Sequence, residues 1–201
     1  MKKIGITGGV GSGKSKVLEY LEAKEDVVVY QADLLAHQVQ QPGTDCYQAI
    51  CSYFGNEILN EDGTINRPKL GAIVFSDDEK MQMLNRLVHP AVEQRILELI
   101  EEEAAKGTRY FVLEAALLHT PFYRQNLDEI WYVYVEEEIR RERLRISRNY
   151  TDEKITAMIA SQPSEAVFRE ISSQVIENSG DFEYTAKQLD EALRNIDLGE
   201  S

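Results

Sequence analysis

The sequence predicts an α/β chain: a three-layer sandwich around a five-stranded parallel sheet, interrupted by one helical insertion. Three observations carry this. Short apolar or β-branched segments alternate with helical patterns, which requires crossover connections and therefore parallel strands. The first such segment runs directly into a glycine-rich turn and then an amphipathic helix. Between the second and third strands lies a long, almost wholly helical stretch, too large for a simple crossover and read as an inserted lobe.

In chain order, residues 3–7 form a short apolar strand, residues 8–15 the glycine-rich turn, and residues 15–24 a helix with Val17, Leu18 and Leu21 on one face. The β-branched run at 27–30 predicts a second strand. A helix over 34–41 stops at Pro42-Gly43. From 44 to 106 the pattern is helical, with a turn at Asp62-Gly63, a capping box at Ser76 and Glu79, and a break at Pro90 that starts a fresh helix. Residues 110–113 and 130–135 predict strands three and four. Residues 136–162 form a charged helical pair broken near Asn149-Tyr150, Val175-Ile176 a fifth strand, and 186–196 a closing amphipathic helix.

The net charge of −13 argues against nucleic acid as a partner, because a duplex binder needs a basic face to displace counterions. No run of 18 apolar residues exists and the N-terminus lacks a signal-peptide core, so the expectation is a cytoplasmic protein with no membrane span. Cys46 and Cys51 match neither zinc nor redox spacing and read as reduced thiols. His37 and His119 lack partners at metal spacing, so no zinc site is expected. No pattern in the chain sets an oligomeric state; a monomer is the default.

The strongest signal is Gly8-Gly9-Val10-Gly11-Ser12-Gly13-Lys14-Ser15, which fits G-x-x-x-x-G-K-[ST] at every fixed position. Glycines at 8, 11 and 13 let successive N–H groups converge, and Ser12 lies within the same turn. The following helix adds the positive end of its dipole. Lys14 then reaches the β- and γ-phosphates of ATP and the Ser15 hydroxyl coordinates Mg²⁺. Lys16 follows; it either reaches the α-phosphate by charge or points to solvent.

A strand-end carboxylate, Asp33, follows the second strand, where open parallel sheets place their ligand crevice. It can take a proton from an attacking hydroxyl, hold Mg²⁺ through water, or simply cap the next helix. Arg140, Arg141, Arg143, Arg145 and Arg148 crowd one helix. Phosphoryl transfer spreads charge over the moving group, so arginines on a closing lid suit it. The competing reading is a solvated helix with Glu137–Arg141 and Glu142–Arg145 pairs; most of the five fit it, and the transfer chemistry calls for one or two to touch phosphate. Arg143 and Arg148 are the candidates. A guanine-nucleotide switch would require Asn-Lys-x-Asp, which the chain lacks.

Further motifs then follow in a recognisable order: Gln31-Ala32-Asp33, Gln41-Pro42-Gly43, Phe54-Gly55, Arg67, Leu70-Gly71, Leu84-Asn85, His89-Pro90, the segment 114–118, Ile159-Ala160-Ser161-Gln162 and the run 175–180. In this order the chain resembles the dephospho-CoA kinase family from about residue 4 to 180. It departs from that pattern at Gln31, where the family has Asp; at Lys16, where many relatives have Thr; at Glu114 and Ala116, where it has Asp and Pro; and at Ser147-Arg148-Asn149, where an Arg-Asp pair is usual. The resemblance implies a P-loop kinase fold with strand order 2-3-1-4-5, as in nucleoside monophosphate kinases. It implies a core at 1–33, 107–136 and 173–201, a CoA-binding lobe at about 34–106, and a lid at about 137–165. The implied reaction is ATP- and Mg²⁺-dependent phosphorylation of the ribose 3′-hydroxyl of dephospho-CoA, the last step of CoA synthesis. Asp33 is then the base. Arg67, His89 and Glu114 are acceptor-side residues, although Arg67 can instead brace its turn, His89 can be structural, and Glu114 can bind Mg²⁺ through water or a neighbouring cation. The alternative is another small-molecule or nucleoside monophosphate kinase.

Overall fold

The computed structural model describes residues 1–116 and 118–199. Its strands are β1 (Lys2–Thr7), β2 (Val27–Gln31), β3 (Tyr110–Glu114), β4 (Glu129–Tyr134) and β5 (Gln174–Glu177). They form one parallel sheet in the order β2-β3-β1-β4-β5, as expected from the resemblance. Pairing Ile4 with Val112 on one side and Glu129 on the other places β1 at the centre. The glycine-rich turn therefore leaves from the middle of the sheet's carboxyl edge.

The helices are α1 (Lys14–Glu22), α2 (Ala32–Gln38), α3 (Asp45–Phe54), α4 (Arg67–Phe75), α5 (Asp78–Lys106), α6 (Pro121–Asn126), α7 (Glu137–Arg148), α8 (Asp152–Ala160), α9 (Glu165–Ile171) and α10 (Phe182–Leu198). One face of the sheet carries Ile4, Ile6, Val112, Trp131, Val133 and Ile176. Val17, Leu18 and Leu21 of α1 and Leu189, Leu193 and Ile196 of α10 close over it. The alternation along each strand produces this face, since residues two apart point the same way. On the opposite face Phe168 of α9 stacks on Tyr132, with centroids 5.0 Å apart. Burial, with Glu165 nearby, pushes the Tyr132 hydroxyl up to about 12.

The chain divides into two compact units: Met1–Tyr30 together with the chain from Gly107 onward, and Gln31–Lys106. Within the second unit α5 packs against α2, α3 and α4. The turn at Asp62-Gly63 is present, with Gly63 at φ 80° and a lone antiparallel bridge between Leu59 and Ile65.

Two details differ from the sequence reading. Pro90 does not end a helix; α5 runs through it. Its buried stripe (Val88, Val92, Ile96, Leu99) continues unbroken on both sides. That packing outweighs one missing hydrogen bond, and Pro90 itself is exposed. The cap of α5 is Asp77, not Ser76: its carboxylate accepts from the Glu79 and Lys80 amides, while the Ser76 hydroxyl donates back to the Ile73 carbonyl. Helices α6 and α9 bury too few side chains to announce themselves by periodicity.

Candidate active site

The phosphate loop has the geometry its residues dictate. Gly13 is the N-cap of α1 at φ 81°, and Gly11 sits at φ 79°, both in the left-handed region that side chains avoid. Lys14 Nζ donates to the Gly8 carbonyl at 2.7 Å and lies 4.0 Å from Glu114 Oε1. Glu114 ends β3, so two neighbouring strands deliver an ammonium and a carboxylate to one spot. Ser15 is exposed in the first turn of α1. Lys16 takes a position the sequence did not anticipate: its ammonium lies over the Phe182 ring, 4.3 Å from the centroid.

Behind the loop stands Asn178, just past β5 and only 5% exposed. Its Nδ2 donates to the Ser12 carbonyl at 2.7 Å, and its Oδ1 accepts from the Thr185 hydroxyl at 2.9 Å. A Cβ on Gly13 would meet that Nδ2 at 2.7 Å. Asn178 thus fills the space that a glycine leaves. The sequence marked Asn178 only as part of a family motif; nothing periodic reports a side chain that braces a distant loop.

The arginines of α7 divide by contact. Arg141 pairs with Glu137 at 2.7 Å, as the solvated-helix reading expects, but Arg145 pairs with Asp152 at 2.7 Å rather than with Glu142. Arg143 donates to the Asn178 carbonyl at 2.8 Å and comes within 3.6 Å of a Cβ built on Gly13, which sets it beside the loop. Arg148 is the exposed last residue of α7. Arg140, not chosen from sequence, donates from Nε to the Val10 carbonyl at 3.0 Å. Helical spacing already sets Arg140 and Arg143 on one face and Arg141, Arg145 and Arg148 on another, so the choice of Arg143 with Arg148 crosses faces.

The remaining candidates lie in the second unit. Asp33 is exposed in the first turn of α2, whose N-cap is Gln31, so Asp33 is not the cap. Arg67 is the first residue of α4, capped by Asn66, and is exposed. His89 is exposed on α5. In the 114–118 segment, Leu117 lies outside the described residues.

A lysine–serine phosphate loop on the central strand of a 2-3-1-4-5 sheet, flanked by helix-borne arginines, defines a P-loop phosphotransferase. The model of the family described as dephospho-CoA kinase matches residues 2–183, and the chain belongs to the dephospho-CoA kinase family. It is 37% identical over 191 residues to a dephospho-CoA kinase of Shouchella clausii, covering 95% of this chain and 96% of that one. The solved structure of TT1252 from Thermus thermophilus is similar at 28% identity and TM-score 0.78, covering 96% and 97% of the two chains. A dephospho-CoA kinase from Campylobacter jejuni shares the fold at 21% identity and TM-score 0.74 over the whole of both chains.

Proposed function

We propose that this chain transfers the γ-phosphate of ATP to the ribose 3′-hydroxyl of dephospho-CoA, giving coenzyme A and ADP in the last step of CoA synthesis. The observation that carries this is Lys14, held on the Gly8 carbonyl beside Glu114 in a phosphate loop, in a chain of this family. Lys14 exchanges its loop carbonyl for the β- and γ-phosphates, and the amides from Gly11 to Lys16 supply the anion nest. ATP arrives with Mg²⁺. The donors suit a hard cation, since the Ser15 hydroxyl, the Glu114 carboxylate and phosphate are all oxygen ligands. That ion would neutralise charge on the phosphates.

Asp33 takes the proton from the acceptor hydroxyl. The bond from O3′ to the γ-phosphorus forms in line as the bond to the β–γ bridging oxygen breaks, and ADP leaves. Arg143 and Arg148, on a lid at about 137–165, stabilise charge on the moving group. Arg67 and His89, in a lobe at about 34–106, hold the acceptor, with Glu114 on the acceptor side or on Mg²⁺ through water. Lys16, over Phe182, contributes positive charge at the loop's exit.

The test is ADP release with and without dephospho-CoA, with the phosphorylated position identified by mass spectrometry. ADP should appear only with the acceptor. Hydrolysis as fast without it, or faster turnover on a nucleoside monophosphate, overturns the assignment. Asp33→Asn should abolish transfer and leave ATP affinity nearly intact; a fully active variant refutes the base assignment.

A further inference from the structure

Both backbone groups of Val10 are held by side chains from the 137–165 segment. The Val10 N–H donates to Gln162 Oε1 at 2.9 Å, and the Val10 carbonyl accepts from Arg140 Nε at 3.0 Å. Arg140 sits in the first turn of α7. Gln162 lies one residue past the C-cap of α8, in the turn that leads to α9. Two separate pieces of chain therefore grip one residue of the phosphate loop from both sides.

Gly9 explains why the grip fits. A Cβ there would stand 2.7 to 2.8 Å from Cζ and both terminal nitrogens of Arg140. The Gly9 backbone is not in the left-handed region, so its φ would accept a side chain. A side chain there would have to displace the guanidinium, the far end of the flexible Arg140 side chain, which lies against the Gly9 Cα. The motif leaves this position open, G-x-x-x-x-G-K-[ST], so glycine here is not a demand of the motif; it leaves room for Arg140 to lie against the loop.

We infer that Arg140 and Gln162 are positioning residues, a pair of tethers that fix the Val10 turn of the phosphate loop and thereby set its affinity for ATP. The inference rests on the reading of the chain as an ATP-dependent kinase. A loop with glycines at 8, 9, 11 and 13 samples many backbone states, and a nest of amides binds phosphate only in one. Fixing the peptide groups on both sides of Val10 removes much of that freedom before ATP arrives. It also commits the Val10 N–H to Gln162, so the amides left for phosphate begin at Gly11. Lys14 is held elsewhere, on the Gly8 carbonyl at 2.7 Å, so tethering Val10 does not compete for the ammonium. The same contacts couple the loop to the lid: whatever moves α7 and the 161–164 turn moves Val10.

The opposite role is a plug, in which Gln162 occupies an amide that phosphate must win. The sign of one measurement separates them. A hydrogen bond of typical net strength corresponds to about a fivefold change in an equilibrium constant. ATP affinity is measured calorimetrically on the full chain, with kcat, both KM values and Tm alongside. Gln162→Met and Arg140→Met should each weaken ATP about fivefold. The KM for dephospho-CoA should stay within about twofold and Tm within about 2 °C, a split that a general loss of structure would not give. Gly9→Ala should weaken ATP in the natural background and have little effect in Arg140→Met, because the side chain it displaces is already gone. Tighter ATP binding by Gln162→Met, unchanged affinity in both single variants, or an equal Gly9→Ala effect in both backgrounds overturns the inference. Failure of the unmutated chain to bind ATP would instead overturn the kinase reading itself.

Discussion

Asn178 is the residue whose loss should say most about how the phosphate loop is built. Asn178→Ala removes two buried hydrogen bonds at once: Nδ2 to the Ser12 carbonyl and Oδ1 from Thr185. Ser12 is 1% exposed, so water does not readily replace the lost donor. A buried acceptor left unpaired costs about 1–3 kcal/mol. Thr185 loses less, because its hydroxyl also reaches the Glu177 carbonyl at 3.0 Å. The combined expectation is about 2–3 kcal/mol, which for a chain of this size lowers Tm by roughly 5–10 °C. The Arg143 bond survives, since it goes to the Asn178 backbone carbonyl. ATP binding should weaken with stability, because the bond from Asn178 to the Ser12 carbonyl holds the loop in shape. The assay is thermal unfolding with and without ATP. Asn178→Asp should be as destabilising as Ala, for it keeps the acceptor toward Thr185 but turns a carboxylate on the Ser12 carbonyl. A Tm within about 1 °C of the parent for both variants would refute the brace, since no account of a buried, doubly bonded side chain permits that.

Three further outcomes follow from the same structure. Pro90→Ala restores a donor in the middle of α5 at an exposed position, and should raise the urea midpoint by an amount equivalent to about 1–3 kcal/mol without changing kcat. Asp190 accepts from Tyr20 at 3.0 Å and from Lys24 at 2.6 Å; burial opposes its ionisation, but these partners win and hold its carboxyl below the usual range. A depressed folded value means stabilisation present above the unfolded value of about 3.9 and lost as pH falls through the folded one. Asp190→Asn should therefore lower the midpoint at pH 7 and match the parent in strongly acid solution, as urea titrations at a series of pH values would check. Arg143→Ala and Arg148→Ala should each lower kcat far more than they raise the ATP Kd, and rapid-mix kinetics with equilibrium binding would separate the two effects.

What the sequence disclosed was whatever local chemistry or periodicity encodes. The strands read correctly because Ile4, Ile6, Val112 and Val133 alternate with the pleat, and the phosphate loop because glycines and a lysine at fixed spacing have little other use. Pro90 misled because a local rule was overridden by a stripe of buried aliphatic residues that only tertiary packing rewards. The arginines show the limit most clearly. Helical spacing sorts the five cations into two faces but not by role; what distinguishes Arg140 and Arg143 is that the Val10 and Asn178 carbonyls, far away in sequence, come within reach of them. Gln162 and Asn178 were visible as letters of a motif, but the groups they hold on the loop are backbone atoms of Val10 and Ser12, which leave no trace in residue identity.

The charge distribution makes the same contacts necessary. A chain of net charge −13 presents a repulsive field to two polyanionic substrates, and 35 acidic residues outnumber 22 basic ones. Most of that field comes from exposed charges farther from the loop than the Debye length, about 8 Å at physiological salt, and is therefore largely screened. Lys14, Arg140 and Arg143 act at hydrogen-bonding range around one loop, where screening is weak. Arg140 and Arg143 are each held by a backbone carbonyl, of Val10 and Asn178, and Lys14 by the Gly8 carbonyl with the Glu114 carboxylate 4.0 Å away. A carbonyl fixes the position of a cation without cancelling its charge, so the positive potential at the loop survives in an acidic protein. Carboxylates in place of the Val10 and Asn178 carbonyls would hold the two guanidiniums as well but cancel much of the charge they offer to phosphate.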